Sequence, residues 1–466
     1  MDFLGVKDSS KMCHLVAVPL PLRSLINPMM NFCKLLSSRE PYSLLITVVL
    51  TEEWFGYIGS EPKPDNIKFA TIPNVVEFKD TRDPFSFIHA ITTEMEAPFE
   101  ELLDALQPQV SAIVADVELG WPIDLGNRRN IPVAVSNTTS ASFFSMMYQY
   151  ALFTKNRLIP FDFLNNSDDQ TDMIPGVSSI QLADVQAVID GTDKQFMQIF
   201  LKSFSKVSEA QYLIFTSVHE LEVEAFNSLK ASFPFPVLPI GPAIPYMELE
   251  ENACGTPRNT VYYTEHKKWL DCQPFGSVLY IAFGSASSIS SSQMEEIVEA
   301  LNCNGFWYFW VAREEAPILR EKCSERGLIV SWCDQLKVLS HSSICGFWSH
   351  CGWNSTLEAV FAGVPMLTFP LFLDQVPNSR KIVDEWKTGW RVKKQELAKD
   401  LVGRDQISEL VKRFMDAESL EVQDMRKKAK KLKNICQQAI KKGGSSDINL
   451  DAFIKSILGS GFTACQ

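Results

Sequence analysis

The stretch from Trp332 to Gln375, WCDQLKVLSHSSICGFWSHCGWNSTLEAVFAGVPMLTFPLFLDQ, concentrates side chains able to do chemistry. At its centre, His350-Cys351-Gly352-Trp353-Asn354-Ser355 lies between a short apolar run, Ile344 to Trp348, and a helical pattern from Ser355 onward. Open parallel sheets bind ligands at the carboxyl ends of their strands, and phosphates favour the N-termini of the helices that follow. A histidine, a glycine that permits close backbone approach and two small polar side chains at a helix start are the groups needed to hold a diphosphate. Blander readings compete with this one. Ser355-x-x-Glu358 also fits a capping box, which needs no ligand. His341, Cys345, His350 and Cys351 are zinc-ligand types, although adjacent His and Cys give poor tetrahedral spacing. Trp332 taken alone reads as a core or interface aromatic. A dinucleotide enzyme is the natural competitor, but no G-x-G-x-x-G follows any predicted strand.

The rest of the chain supplies elements to position such a turn. Apolar runs read as strands at His14–Leu20, Leu44–Leu50, Ser111–Ala115, Ile131–Val135, Gln211–Thr216 and Pro236–Ile240. Asn27 and Pro28 predict a helix N-cap and first helical position, opening a helix through Ser37. Near Gly241-Pro242 the pattern stops, and the polar, acidic residues 243–262 read as a linker. A second series follows: a strand at Ser277–Phe283, a helix opened by the capping box Ser292-x-x-Glu295, and strands at Phe306–Val311, Leu328–Val330 and Pro365–Phe369. Strand–helix alternation of this kind implies parallel sheets covered by helices on both faces, hence an α/β protein with two doubly wound, Rossmann-like domains. The expected boundaries are 1–242, a linker at 243–262, 263–445, and a final segment 446–466. No internal repeat of solenoid or propeller length is visible.

Composition excludes several classes. With 46% hydrophobic and 21% charged residues the 466-residue chain is globular, and its length suits two or three cores. A net charge of −12 argues against nucleic acid, which demands clustered Lys and Arg. The basic run Arg426 to Lys433 has the spacing of a solvated helix face. The N-terminal MDFLGVKDSSKM has no signal-type apolar region, and no stretch is long enough to span a membrane. Eleven cysteines at irregular spacing suit a reducing cytosol, so a cytoplasmic protein is expected.

The box from Trp332 to Gln375 resembles the signature segment of plant secondary-product glycosyltransferases, family 1 enzymes of the GT-B fold. Trp332, Gln335, His341, Gly346, His350, Gly352, Asn354, Ser355, Glu358, Gly363, Pro370, Asp374 and Gln375 all fall at the family's spacing. GNRRNIPVA (126–134), LPIGPAIPY (238–246) and AFGS (282–285) extend the likeness over nearly the whole chain. The resemblance implies two domains facing a cleft, with the last helix packing back on the N-terminal domain. It implies a UDP-sugar as co-substrate, a small-molecule acceptor, and neither metal nor organic cofactor. Trp332 would stack on uracil, with the Cys333 backbone and Gln335 at the base edge and ribose. Glu358 would accept from the ribose hydroxyls. His350, Asn354, Ser355 and the Gly352 amide would hold the diphosphate, with Ser285 nearby. Trp353, Asp374 and Gln375 would face the sugar, and the Asp374-Gln375 ending points to glucose.

The loop after the first strand departs from the family, with Leu22 and Ser24 where glycine is usual, and Cys333-Asp334 departs from the commoner Ala-Pro. The family's general base is a histidine in the loop after the first strand, held by an aspartate. Here the loop reads Pro19-Leu20-Pro21-Leu22-Arg23-Ser24-Leu25-Ile26-Asn27-Pro28, so Leu25 occupies the base position, while the aspartate remains as Asp116. Leucine cannot accept a proton, and a positioned base contributes about 10²–10⁴ in rate. Three readings follow: transfer to an acidic acceptor or through Asp116 and a water, a silent binding role, or a different reaction of the same molecules. Among other candidates His14 sits in a strand, as a core histidine would. His89, Glu94 and Glu96 lie in an acceptor-side segment, and His219 and His266 lie near the linker. Arg23 is expected to pair with Asp116 and keep it ionised.

Overall fold

The computed structural model describes residues 12–75, 84–155, 188, 192–251, 260–284, 289–393 and 401–459. Two wholly parallel sheets form its frame. The first holds β1 (Cys13–Val18), β2 (Leu44–Thr51), β3 (Ile67–Ile72), β4 (Ala112–Asp116), β5 (Val133–Asn137), β6 (Tyr212–Phe215) and β7 (Val237–Pro239), in the order β3-β2-β1-β4-β5-β6-β7. The second holds β8 (Val278–Ala282), β9 (Trp307–Val311), β10 (Gly327–Val330), β11 (Ile344–Ser349), β12 (Met366–Thr368) and β13 (Gly389–Arg391), ordered β10-β9-β8-β11-β12-β13. The apolar runs form strands because both of their faces are covered. Every residue of β1, β4 and β8 is buried, and core clusters lie on either side of each sheet.

The strand order decides where ligands can sit. In each sheet the winding reverses once, between β1 and β4 in the first and between β8 and β11 in the second. At such a switch point the following loops splay apart and leave a crevice. Leu20 to Leu25 and Asp116 to Glu118 therefore flank one crevice, while Gly284 and His350 to Ser355 flank the other.

Two edge strands, β3 and β13, carry no sequence signal of the kind that marked the others. In β3 only the end residues Ile67 and Ile72 are buried, and the four between them are partly or fully exposed, so no continuous apolar run marks it. The segment 243–262 is less irregular than its composition suggests. Ala243 and Ile244 are buried, and short helical stretches occupy Met247–Glu251 and begin again at Thr260. The helix Ser445–Leu458 lays Leu450, Phe453, Ile454 and Ile457 into the core beneath β1 and β2, and its Asp447 and Asp451 pair with Arg39.

Two helix starts differ from the expectation. The helix after β8 spans Ser291–Cys303 with Ser290 as its cap, accepting from the Gln293 amide at 3.2 Å. Ser292 therefore does not open it. The helix after β1 spans Arg23–Arg39, so Pro28 lies inside it rather than at its first position. An interior proline leaves the carbonyl four residues earlier without a donor, here that of Ser24. The side-chain amide of Asn354, across the cleft, donates to that carbonyl at 2.7 Å. A tertiary hydrogen bond thus fills the gap that proline opens.

Candidate functional site

The two crevices join in one cavity of about 930 Å³, lined by both domains. On the second sheet's side the helix Trp353–Ala362 starts soon after β11, with Gly352 at its cap position and so no capping side chain from that residue. Uncapped amides at a helix start, together with the helix dipole, make an anion site. His350 stands beside it. A Cβ on Gly352 would lie 2.5 Å from His350 Nε2, and a Cβ on Gly284 would lie 2.5 Å from the same atom. Glycine at both places is what lets the imidazole fit. Gly284 also has φ +82°, a left-handed backbone that L side chains rarely adopt. Burial, reinforced by the charge of Arg313, pushes His350 down to about 4, although a backbone bond at Ala282 works against it. At neutral pH the ring is uncharged and donates from one nitrogen only.

Next to the helix start lies a polar cluster. Gln335 accepts from the Tyr280 hydroxyl at 3.0 Å and donates to Ser355 Oγ at 2.9 Å and to Glu358. Ser355 and Glu358 are therefore not a capping box: Ser355 lies within the first helical turn and Glu358 faces Gln335. Burial raises the Glu358 carboxyl to about 7, with Gln335 lowering it and Asp334 raising it. Trp332 stands at the rim, 52% exposed, an open face for a planar ring. Cys333 is buried, its thiol against the Tyr280 hydroxyl at 3.4 Å, which leaves its backbone to the cleft. Tyr280 is a residue the sequence reading missed, since nothing in a buried strand marks one hydroxyl as the anchor of a distant glutamine.

The loop before the helix Gln375–Arg380 completes this side. Gln375 accepts from the Leu371 and Phe372 amides at 2.8 and 3.2 Å, folding the loop back and leaving its side-chain nitrogen for other use. Asp374 accepts from Asn378 at 2.8 Å, and burial lifts it to about 6 against the pull of Asn378 and of the Trp353 amide. Trp353 itself is only 2% exposed, with its ring 6.0 Å from that of Trp386. Its indole belongs to the core, and its backbone amide is what reaches Asp374. Asn354 lines the cavity but commits its amide donors toward Ser24, which leaves its oxygen free of that bond. Ser285 lies outside the described residues.

On the first sheet's side Leu22 and Leu25 pack against the core and line the cavity. Asp116, at the end of β4, is fully buried; its Oδ2 accepts from the Leu20 amide at 2.6 Å and its Oδ1 has no partner. Desolvation, then the charge of Glu118, raises its carboxyl well above the ordinary range. The expected pairing with Arg23 does not occur. Arg23 binds Glu61 at 3.3 Å on the outer side of its helix, because Asp116 lies too deep for a half-exposed guanidinium to follow.

Other candidates are disposed of by their contacts. His14 is enclosed, bonding the Pro108 carbonyl at 2.6 Å and Thr47 at 2.8 Å. His89 and Glu94 are exposed, and Glu96 pairs with Arg128 at 2.9 Å. His341 binds Asp271 and Ser343, at 3.0 and 2.8 Å. Among the described residues no three His, Cys, Asp or Glu side chains are grouped to hold a metal, and no helix is long and apolar enough to cross a membrane.

Comparison with known proteins agrees with this arrangement. The family model described as UDP-glucoronosyl and UDP-glucosyl transferase matches residues 176–421. UDP-glycosyltransferase 87A1 of Arabidopsis thaliana is 46% identical over 444 residues, covering 94% of this chain and 99% of that one. The 7-deoxyloganetin glucosyltransferase of Catharanthus roseus is 32% identical, covering 98% of each. Among solved structures, a UDP-glucosyltransferase from Polygonum tinctorium capable of glucosylating indoxyl superposes with a TM-score of 0.80 at 26% identity, over 96% of this chain and 99% of the other. Medicago truncatula UGT71G1, complexed with UDP-glucose, gives 0.75 at 26% identity, over the same shares.

Proposed function

The chain belongs to the plant family 1 UDP-glycosyltransferases, and from that premise we propose that it transfers glucose from UDP-glucose, with inversion, to a hydroxyl of a small and largely apolar acceptor. The observation that carries the reading is the helix start at Trp353 with glycine at its cap position, His350 packed against both Gly352 and Gly284, and Trp332 open at the rim. Diphosphate at the helix amides and His350, ribose at Glu358 and uracil on Trp332 account for each feature. Asp374 and Gln375, beside the helix start, suit the hydroxyls of a hexose. The acceptor side supports an apolar partner, because Leu22, Leu25, Phe143, Phe196, Phe200 and Leu373 line it. Glucosyl transfer is also what the printed names of the Catharanthus and Polygonum relatives describe.

Transfer is an in-line displacement at the anomeric carbon through an oxocarbenium-like transition state. The helix amides and His350 would stabilise charge on the departing UDP, the term that most often dominates such catalysis. The test is UDP release from UDP-glucose in the presence of an acceptor panel of alcohols, phenols and carboxylic acids. Release that depends on acceptor, with a β-glucoside as product, is expected. Saturable UDP binding without release for any acceptor would favour a binding role instead, the reading that Leu25 at the base position otherwise invites.

A further inference from the structure

Resting on that reading, we propose that Glu118 is the general base of the transfer, taking over the role vacated at Leu25 from the opposite wall of the same crevice. The residue sits two positions beyond Asp116, in the loop that leaves the carboxyl end of β4, and it lines the cavity with Leu25, Thr138 and Asp374. Its Oε2 is shielded from water yet has no hydrogen-bond donor. A buried oxygen without a donor is uncommon in folded proteins and calls for an explanation, which a ligand group completing its bonding would supply. An acceptor hydroxyl entering the crevice is such a group.

The surroundings favour this residue over Asp116. Asp116 already receives the Leu20 amide, lies beneath the crevice floor, and is driven toward its protonated form by burial. Glu118 faces the cleft. Desolvation raises its carboxyl to about 7, with its own backbone amide lowering it and Asp374 across the cleft raising it. The charged groups around it are Asp116 below and Asp374 opposite. Arg23, at the start of the helix after β1, is paired with Glu61 at 3.3 Å, and Lys206, near the following turn, is paired with Asp124. A base near neutrality is ionised enough to accept a proton and basic enough to hold it, which is the condition for efficient proton transfer. Leu22, Leu25 and Leu373, packed on the same core, keep that carboxyl in an apolar setting.

The step balances without a co-reactant. The acceptor oxygen bonds to the anomeric carbon as the bond from that carbon to the β-phosphate oxygen breaks, and its electron pair leaves with UDP. The acceptor proton passes to Glu118 Oε2 and then to solvent.

The experiment measures UDP release from UDP-glucose for the full chain, wild type and Glu118→Gln, between pH 5 and 9. The acceptors are benzyl alcohol, 2-naphthol and benzoate. With benzyl alcohol, Glu118→Gln should lower kcat about 10²–10⁴-fold, the range for loss of a positioned base. With benzoate, which carries no proton at these pH values, it should change kcat less than about fivefold. The wild-type rate should rise with pH through neutrality, and that limb should vanish in Glu118→Gln while UDP affinity stays at the wild-type value. Glu118→Asp, which keeps a carboxylate one methylene shorter, should retain the limb at reduced kcat, and it serves as the test should Glu118→Gln not fold. Equal losses for alcohol and benzoate, or an unchanged limb, overturn the assignment of Glu118 and leave the transferase reading intact. Absence of UDP release with every acceptor overturns that reading and this one together.

Discussion

Replacing Gly352 by alanine isolates the contribution of His350 to nucleotide binding. The backbone there, φ −58° and ψ 141°, is one that alanine adopts freely, so no conformational penalty accompanies the change. The added Cβ, however, lies 2.5 Å from His350 Nε2, closer than a Cβ can approach, so the ring has to shift. The imidazole must leave its place. A hydrogen bond to a charged group is worth about 1.5–3 kcal/mol, so UDP should bind roughly 10- to 150-fold more weakly. Isothermal titration of UDP against both proteins measures this, and uridine supplies the control. Having no phosphates, uridine should bind the variant as it binds the wild type. A UDP dissociation constant within twofold of wild type would refute the placement of the diphosphate against His350. Equal weakening of uridine would show that the damage is general.

Three further outcomes follow from the same geometry. Trp332→Ala removes a stacking face that is 52% exposed, so uridine and UDP should both lose about 1–3 kcal/mol of affinity in titration calorimetry while the melting temperature stays put. Glu358 is raised from 4.5 to about 7 in the fold, so the stability it lends is complete below pH 4.5 and is lost as pH rises through 7. Thermal unfolding of the free protein should therefore show Glu358→Gln gaining on wild type between pH 5 and 8, by at most about 3 kcal/mol; a constant difference contradicts the burial of that charge. Leu25→His places an imidazole beside the unpartnered Oδ1 of Asp116, and in a Glu118→Gln background it should restore about 10²-fold or more of the benzyl alcohol rate. No rescue would mean that Leu25 does not stand at the base position.

The candidate donor crevice was legible in the sequence because its groups are local. Trp332, Gln335, His350, Ser355 and Glu358 lie within one strand–turn–helix unit, where spacing along the chain nearly fixes spacing in space. What escaped the sequence depends on chain segments far apart. Asn354 reaches Ser24, 330 residues away, and that bond is what allows Pro28 to sit inside a helix where local rules placed it at the start. The burial of the Trp353 ring against Trp386, and the service of Tyr280 to Gln335, likewise need the packed sheet to be seen. Glu118 had a weak signal: a carboxylate two residues beyond Asp116, at a strand's carboxyl end, in a chain with leucine at position 25, where the family resemblance leads one to expect histidine. Its significance appears only when the unpaired oxygen and the facing Asp374 are in view. Arg23 shows the converse, since a charge near in sequence to the vacant position turns outward to Glu61.

The central claim is that a helix start, a neutral histidine and an exposed indole together grip a uridine diphosphate. Titration calorimetry of the purified wild-type chain with UDP, and in parallel with ADP, tests it most directly. One saturable UDP site per chain is expected, with ADP bound at least about tenfold more weakly because the Cys333 backbone would meet the uracil edge, which adenine does not reproduce. Absence of UDP binding, or equal binding of the two nucleotides, would contradict it.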